Sequence, residues 1–234
     1  GSLAKVFENT PQYTKERDEL KLLLGENRFN EIRRSILDSY YTPSNIAETL
    51  WKGLVKLGFK KGSIIDPCVG GGALIDATPI DLQKSMDWTC IEKCPATADL
   101  FSLRHPEAKL INKDYTDLAL MDNQFQAAIL NPPFVEGVVS DSYDKNLGMM
   151  SIHNLFVAKT LRKIRSGGVA AIVVSRYFMD SQDEKAREQA GLVGRLIGAW
   201  RLPSGAFATS GTDVITDILF FERTDDVNRL NSDD

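Results

Sequence analysis

Apolar residues change their spacing partway along the chain, which divides it into a helical beginning and an alternating body. Residues 1–14 have no period and read as an arm. Residues 15–24 predict a short helix stopped by Gly25. Residues 27–38 predict a second, with Phe29, Ile32, Ile36 and Leu37 on one face. Thr42-Pro43 predicts the start of a third helix, a capping threonine followed by proline at the first helical position. Its apolar stripe is Ile46, Leu50, Leu54 and Leu57, and Gly58 ends it.

After Gly58 short apolar runs alternate with helical patterns. Strands are expected at 63–66, 88–92, 109–112, 125–130, 168–174, 196–202 and 214–222. Helices are expected near 73–77, 95–104, 151–165 and 183–193, with Ile152, Leu155, Phe156 and Ile164 inward on the third. A long loop without a period, residues 135–150, precedes that helix and is expected to be mobile without substrate. Strand runs that do not strictly alternate indicate a mostly parallel sheet covered on both faces. The chain therefore reads as one α/β unit. Residues 1–40 form an arm and helical extension, residues 41–222 the body, and residues 223–234 a tail.

Composition narrows the class. The 234 residues are 43% hydrophobic and 26% charged, the mix of an ordinary globular protein. That excludes a disordered tail, a collagen-like repeat and a disulfide-stapled miniprotein. No apolar run reaches the roughly 18 residues a membrane span needs, so no membrane partner is expected. The net charge of −4 opposes nonspecific nucleic-acid binding, which depends on neutralising phosphates. Three sparse cysteines point to a reducing compartment such as the cytoplasm. Cys90 and Cys94 with His105 fit no zinc spacing well, and no metal is expected.

Four sites carry candidate chemistry. Asp66-Pro67-Cys68-Val69-Gly70-Gly71-Gly72 follows the first strand, where glycines let the backbone turn tightly against a ligand. It matches neither the dinucleotide fingerprint nor a phosphate-binding loop. Glu92 ends the second strand, where a carboxylate can accept from both ribose hydroxyls of a nucleoside cofactor. Asp114 follows the third strand and could accept from an adenine amino group, with Asp117 as a rival. Asn131-Pro132-Pro133-Phe134 follows the fourth. Its prolines remove two N–H donors and leave carbonyls, so Asn131 and the Pro132 carbonyl can accept both hydrogens of one amino group. Phe134 offers a flat face for a ring. In a sheet wound outward from its centre the first and fourth strands are neighbours, and both loops face one crevice.

Together these residues resemble the class I S-adenosylmethionine-dependent methyltransferases, specifically the DNA adenine-N6 enzymes of the gamma arrangement. Tyr41-Thr42-Pro43, the Asp66–Gly72 turn and Asn131-Pro132-Pro133-Phe134 stand in that group's order. The stretches Ser175 to Asp180, Arg201-Leu202-Pro203 and Thr216 to Phe220 are similar to the methylase portion of large phage- and plasmid-borne helicase–methylase proteins. The resemblance implies a Rossmann-like class I methyltransferase fold, a mostly parallel seven-stranded sheet whose last strand, at 214–222, is antiparallel. It implies S-adenosylmethionine as cofactor. Tyr41, Thr42 and Pro43 would line its methionine end, Asp66, Pro67 and Gly70 the glycine turn. Glu92 would hold the ribose and Asp114 the adenine. It implies DNA as partner, with a flipped adenine held by Asn131 to Phe134.

Related enzymes carry a recognition domain after the catalytic one, whereas this chain has only residues 223–234 there. Gly1-Ser2 also resembles the scar of a cleaved tag. Both lead us to expect the catalytic part of a larger protein, with a recognition or helicase domain or subunit elsewhere. The tetrapeptide also occurs in enzymes acting on guanine N2 in RNA and on protein glutamine. A cofactor-binding module without turnover is a further alternative. His153 is expected to be a surface or capping histidine rather than a base. Lys159, Arg162, Lys163 and Arg165 are expected to form a solvated, dipole-favoured helix end, with phosphate contact as the alternative.

Overall fold

In a computed structural model, which describes residues 4–7, 10–38, 42–135, 137–207 and 214–226, the apolar runs beyond Gly58 assemble into one sheet. Its strands are β1 (Gly62–Asp66), β2 (Met86–Glu92), β3 (Lys109–Asn112), β4 (Phe125–Leu130), β5 (Ile164–Ser175), β6 (Gly194–Arg201) and β7 (Thr216–Arg223). They lie in the order β3-β2-β1-β4-β5-β7-β6. The first five run parallel. β7 is antiparallel to both β5 and β6. The expected seven-stranded sheet with an antiparallel last strand is therefore present.

The helices are α1 (Ala4–Phe7), α2 (Thr14–Leu24), α3 (Glu26–Asp38), α4 (Ser44–Lys56), α5 (Ala73–Asp76), α6 (Pro95–Arg104), α7 (Ile152–Lys163), α8 (Tyr177–Asp180) and α9 (Lys185–Gly191). The period of two inside each strand distributes side chains between two cores. On β5, Val169, Ala171 and Val173 join Leu50, Trp51 and Leu54 of α4. Ala170, Ile172 and Val174 join Leu155, Phe156 and Leu161 of α7. Both faces are buried, which is why the run reads as unbroken. Each fully buried Leu or Ile contributes about 1.5–3 kcal/mol. The N-terminal helices lie on one flank, where Phe7 stacks on Phe29 at 5.1 Å and Arg28 of α3 pairs with Asp99 of α6.

Three local expectations change. Thr42 does not cap α4, because Pro43 takes the cap position and its carbonyl accepts from Ile46 and Ala47. Ile164 is buried as expected, but as the first residue of β5 opposite Phe125, so α7 stops at Lys163. The segment read as a loop holds one antiparallel pair, Val138–Val139 with Met150–Ser151, and buried Asp141 and Leu147.

Because β2 and β3 follow on one side of β1 and β4 lies on the other, the carboxyl ends of β1 and β4 flank the switch point of the sheet.

Candidate active site

At the end of β1 the chain enters the glycine turn. Gly70 (φ 52°) and Gly72 (φ 91°) take left-handed conformations that side chains disfavour. Asp66 is 1% exposed. Its Oδ1 accepts from the Cys68 amide at 3.1 Å, and its Oδ2 has no hydrogen-bond partner among the described residues. Burial pushes the carboxyl up to about 7, and the neighbouring Glu92 charge adds in the same direction. Glu92 staples the turn to the end of β2: Oε2 accepts from the Gly70 amide (3.1 Å) and Oε1 from the Cys94 amide (2.7 Å). Its own burial raises it above the usual carboxylate range.

Asp114 stands two residues beyond β3 and caps a short 3-10 turn, Tyr115–Asp117. It accepts from Thr116 N and Oγ1 (2.9 and 2.8 Å) and pairs with Lys93 Nζ at 2.7 Å. Burial works to raise it, but those bonds outweigh burial and leave it below the usual range.

At the end of β4 two elements grip Asn131. Its Nδ2 donates to Thr42 Oγ1 at 3.0 Å, and Cys68 Sγ donates to its backbone carbonyl at 3.4 Å. The threonine before α4 thus orients the asparagine, and the glycine turn holds the backbone of the tetrapeptide. The two loops enclose one cavity of about 490 Å3. Asp66, Pro67, Gly70, Glu92 and Asp114 line it from one side. Asn131, Pro132, Pro133 and Thr42 line it from the other.

Residues 27–232 match the sequence profile of the N-6 DNA methylase family. The chain belongs to that family. It is 25% identical over 191 residues to Defense against restriction protein B of Escherichia phage P1, an alignment spanning 80% of this chain and 8% of that protein. Among solved structures it is similar to a modification subunit of a putative type I restriction enzyme from Vibrio vulnificus, with TM-score 0.68, 19% identity, and 91% and 48% of the two chains covered. A putative class I S-adenosylmethionine-dependent methyltransferase from Listeria monocytogenes gives TM-score 0.65 and 19% identity, over 96% and 79%. These likenesses show the class I methyltransferase-like fold. The chain spans less than a tenth of the phage protein and about half of the Vibrio subunit.

The cavity of this methylase-family chain suits the cofactor that the family implies. Asp66 Oδ2 is a buried acceptor lacking a donor, as an ammonium group would require. Glu92 and Asp114 add acceptors along the same wall, and Leu74, Tyr115 and Phe156 add apolar surface. Of the two rival acids, Asp114 lines the cavity, whereas Asp117 accepts from Ser142 Oγ and stands outside the lining.

Other expectations fall elsewhere. Tyr41 lies outside the described residues. Pro43 and Phe134 do not line the cavity; Phe134 packs beside the His153 ring, centroids 5.8 Å apart. His153 is neither a surface residue nor a cap. It follows Ile152 inside α7 and is half-buried, and burial holds it down at about 4. The basic cluster is corrected for two members: Lys159 and Lys163 are 0% and 1% exposed and paired with aspartates, since loop 135–150 folds over them. Arg162 donates to Gln189, and Arg165 is exposed. Among the described residues no cluster of His, Cys, Asp or Glu is placed to hold a metal. Cys68 was read only as part of the glycine turn, and Tyr115 was given no role; nothing in their local sequence announces contacts made across 63 and 45 residues.

No helix among the described residues is long and apolar enough to cross a membrane.

Proposed function

We propose that this chain transfers the methyl group of S-adenosylmethionine to the N6 amino group of adenine in DNA. The observation that carries this reading is the direct bonding of Asn131 to both Thr42 and Cys68, which puts an amino-group acceptor and a cofactor-type turn on one cavity.

When bound, S-adenosylmethionine supplies a methyl group activated by a positively charged sulfur. Asp66 Oδ2 holds the cofactor's ammonium, Glu92 its ribose hydroxyls and Asp114 its adenine amino group. Pro67 and Gly70 border it at the turn. Thr42 closes the methionine end. Asn131 and the Pro132 carbonyl accept the two hydrogens of the target amino group. Those bonds draw the nitrogen towards tetrahedral geometry and localise a lone pair otherwise delocalised into the ring. Pro133 stiffens the loop, and Phe134 stacks on the flipped base, offsetting part of the cost of unstacking it. Orientation and electrostatics carry the rate, with no nucleophilic side chain required.

A net charge of −4 limits phosphate contacts, so we place duplex recognition in a further domain or subunit of a larger cytoplasmic protein. The test offers DNA, RNA and protein to the chain with cofactor labelled in its methyl group. Label recovered as N6-methyladenine, and lost in Asn131→Ala, supports the reading. Label on RNA guanine or protein glutamine overturns it.

A further inference from the structure

One feature of α7 plays no part in that mechanism. Lys159 is 0% exposed, and its Nζ donates three hydrogen bonds: to the carbonyls of Tyr115 (2.8 Å) and Leu118 (2.9 Å) and to Asp141 Oδ2 (2.6 Å). An ammonium has three protons, so its donor capacity is filled. It also lies 4.6 Å from the Tyr115 ring centroid. Asp141 is 1% exposed and equally satisfied, because its Oδ1 accepts from the amides of Tyr143 (2.9 Å) and Asp144 (2.8 Å). One turn further on, Lys163 pairs with Asp144 at 2.9 Å and Asp122 at 2.7 Å.

Stability alone does not account for this arrangement. A buried ion pair loses desolvation energy that an apolar pair of similar volume would not. What the lysine adds is attachment. Two of its acceptors belong to the β3–β4 connection, whose Asp114 and Tyr115 line the cavity. The third belongs to the β4–α7 connection, which begins with Asn131. A backbone bond from Ser142 N to the Thr116 carbonyl (2.8 Å) joins the same two segments. The ammonium therefore sits behind the wall shared by the proposed cofactor and acceptor sites.

We infer that Lys159 is a positioning residue: clamped between the Tyr115 and Leu118 carbonyls and Asp141, it sets the adenine-side wall of the cofactor pocket against the loop that follows the catalytic tetrapeptide. The inference rests on the proposed function. It extends that reading by coupling cofactor binding to the placement of the acceptor loop.

The test compares wild type with Lys159→Met/Asp141→Asn, which removes both charges and leaves the Asp141 Oδ1 position to its amide donors. Leu161→Ala, a buried truncation on the same helix, serves as a control for stability loss. The clamp variant weakens S-adenosylhomocysteine about tenfold by calorimetry and lowers kcat about a hundredfold at saturating cofactor and DNA, as a misplacement of about 1 Å does. The control loses thermal stability but keeps the wild-type Kd and kcat per folded molecule. A clamp variant indistinguishable from this control overturns the inference. A second measurement needs no variant. In wild type, saturating S-adenosylhomocysteine slows hydrogen exchange at the Ser142, Tyr143 and Asp144 amides, none of which lines the cavity; unchanged exchange there also overturns it. If wild type places no methyl on DNA adenine, the proposed function fails, and the clamp is judged by the calorimetric and exchange arms.

Discussion

Asp66 offers the sharpest test of how the pocket is charged. Its carboxyl is held at about 7 against an ordinary value of 3.8. At 1.36 kcal/mol for each tenfold, keeping it ionised in the empty fold costs about 4 kcal/mol. The folded state therefore holds a proton that the unfolded chain releases from about pH 4 upward. Stability falls as pH rises from about 4 to about 7, and the loss is complete above that. Asp66→Asn keeps an oxygen for the Cys68 amide and has no charge to desolvate. By denaturant unfolding without cofactor, the variant gains up to about 4 kcal/mol over wild type at pH 8 and little at pH 4. Cofactor binding responds in the opposite sense. The ammonium of S-adenosylhomocysteine needs the ionised carboxylate, so wild-type affinity strengthens about tenfold per pH unit up to about pH 7 and then levels. The variant shows weak, pH-flat binding. A stability difference that does not vary with pH, or an Asp66→Asn variant that binds S-adenosylhomocysteine as tightly as wild type, would refute the assignment.

Further outcomes follow from the same geometry. Asn131→Ala abolishes methyl incorporation into DNA while calorimetric affinity for S-adenosylhomocysteine stays within about threefold, since the proposed function gives this side chain to the acceptor amino group and not to the cofactor. Glu92→Gln weakens that affinity by about 1–3 kcal/mol; an unchanged isotherm would remove Glu92 from the site. His153, held at about 4 by burial, binds fewer protons folded than unfolded below about pH 6.5. Stability is therefore lost as pH falls from about 6.5 to 4, and His153→Gln, compared by unfolding at pH 4.5 and 7.5, recovers up to about 3 kcal/mol at the lower pH.

Much of the fold was legible because its signals are local. The helix Pro95–Arg104 and the strands Lys109–Asn112 and Phe125–Leu130 have the bounds their patterns imply. Proline opens the helix and short apolar runs mark the strands. The neighbouring placement of β1 and β4 followed from the winding rule for open sheets. Where local signals were ambiguous, partners elsewhere decided. Thr42-Pro43 reads as a cap and first turn, yet the hydroxyl of Thr42 accepts from Asn131, 89 residues away. Ile164 suits a helix or a strand, and pairing with Phe125 chose the strand.

Order along the chain was enough to show which residue types could meet a cofactor and an amino group: the glycine turn, an acid after each of the next two strands, and the tetrapeptide after the fourth. A period of two or 3.6 and the stereochemistry of glycine and proline act within a few residues, so they are written locally. The protonation of Asp66, the place of Asp114 but not Asp117 in the cavity lining and the packing of Phe134 beside His153 depend on burial and on neighbours from distant segments. Lys159 and Lys163 show the same limit most clearly. On α7 they look like a solvated basic end, and only the return of Asp141 and Asp144 over the helix makes them interior. Desolvation and ion pairing are properties of the packed molecule, and no spacing along one helix reports which carboxylates will cover it.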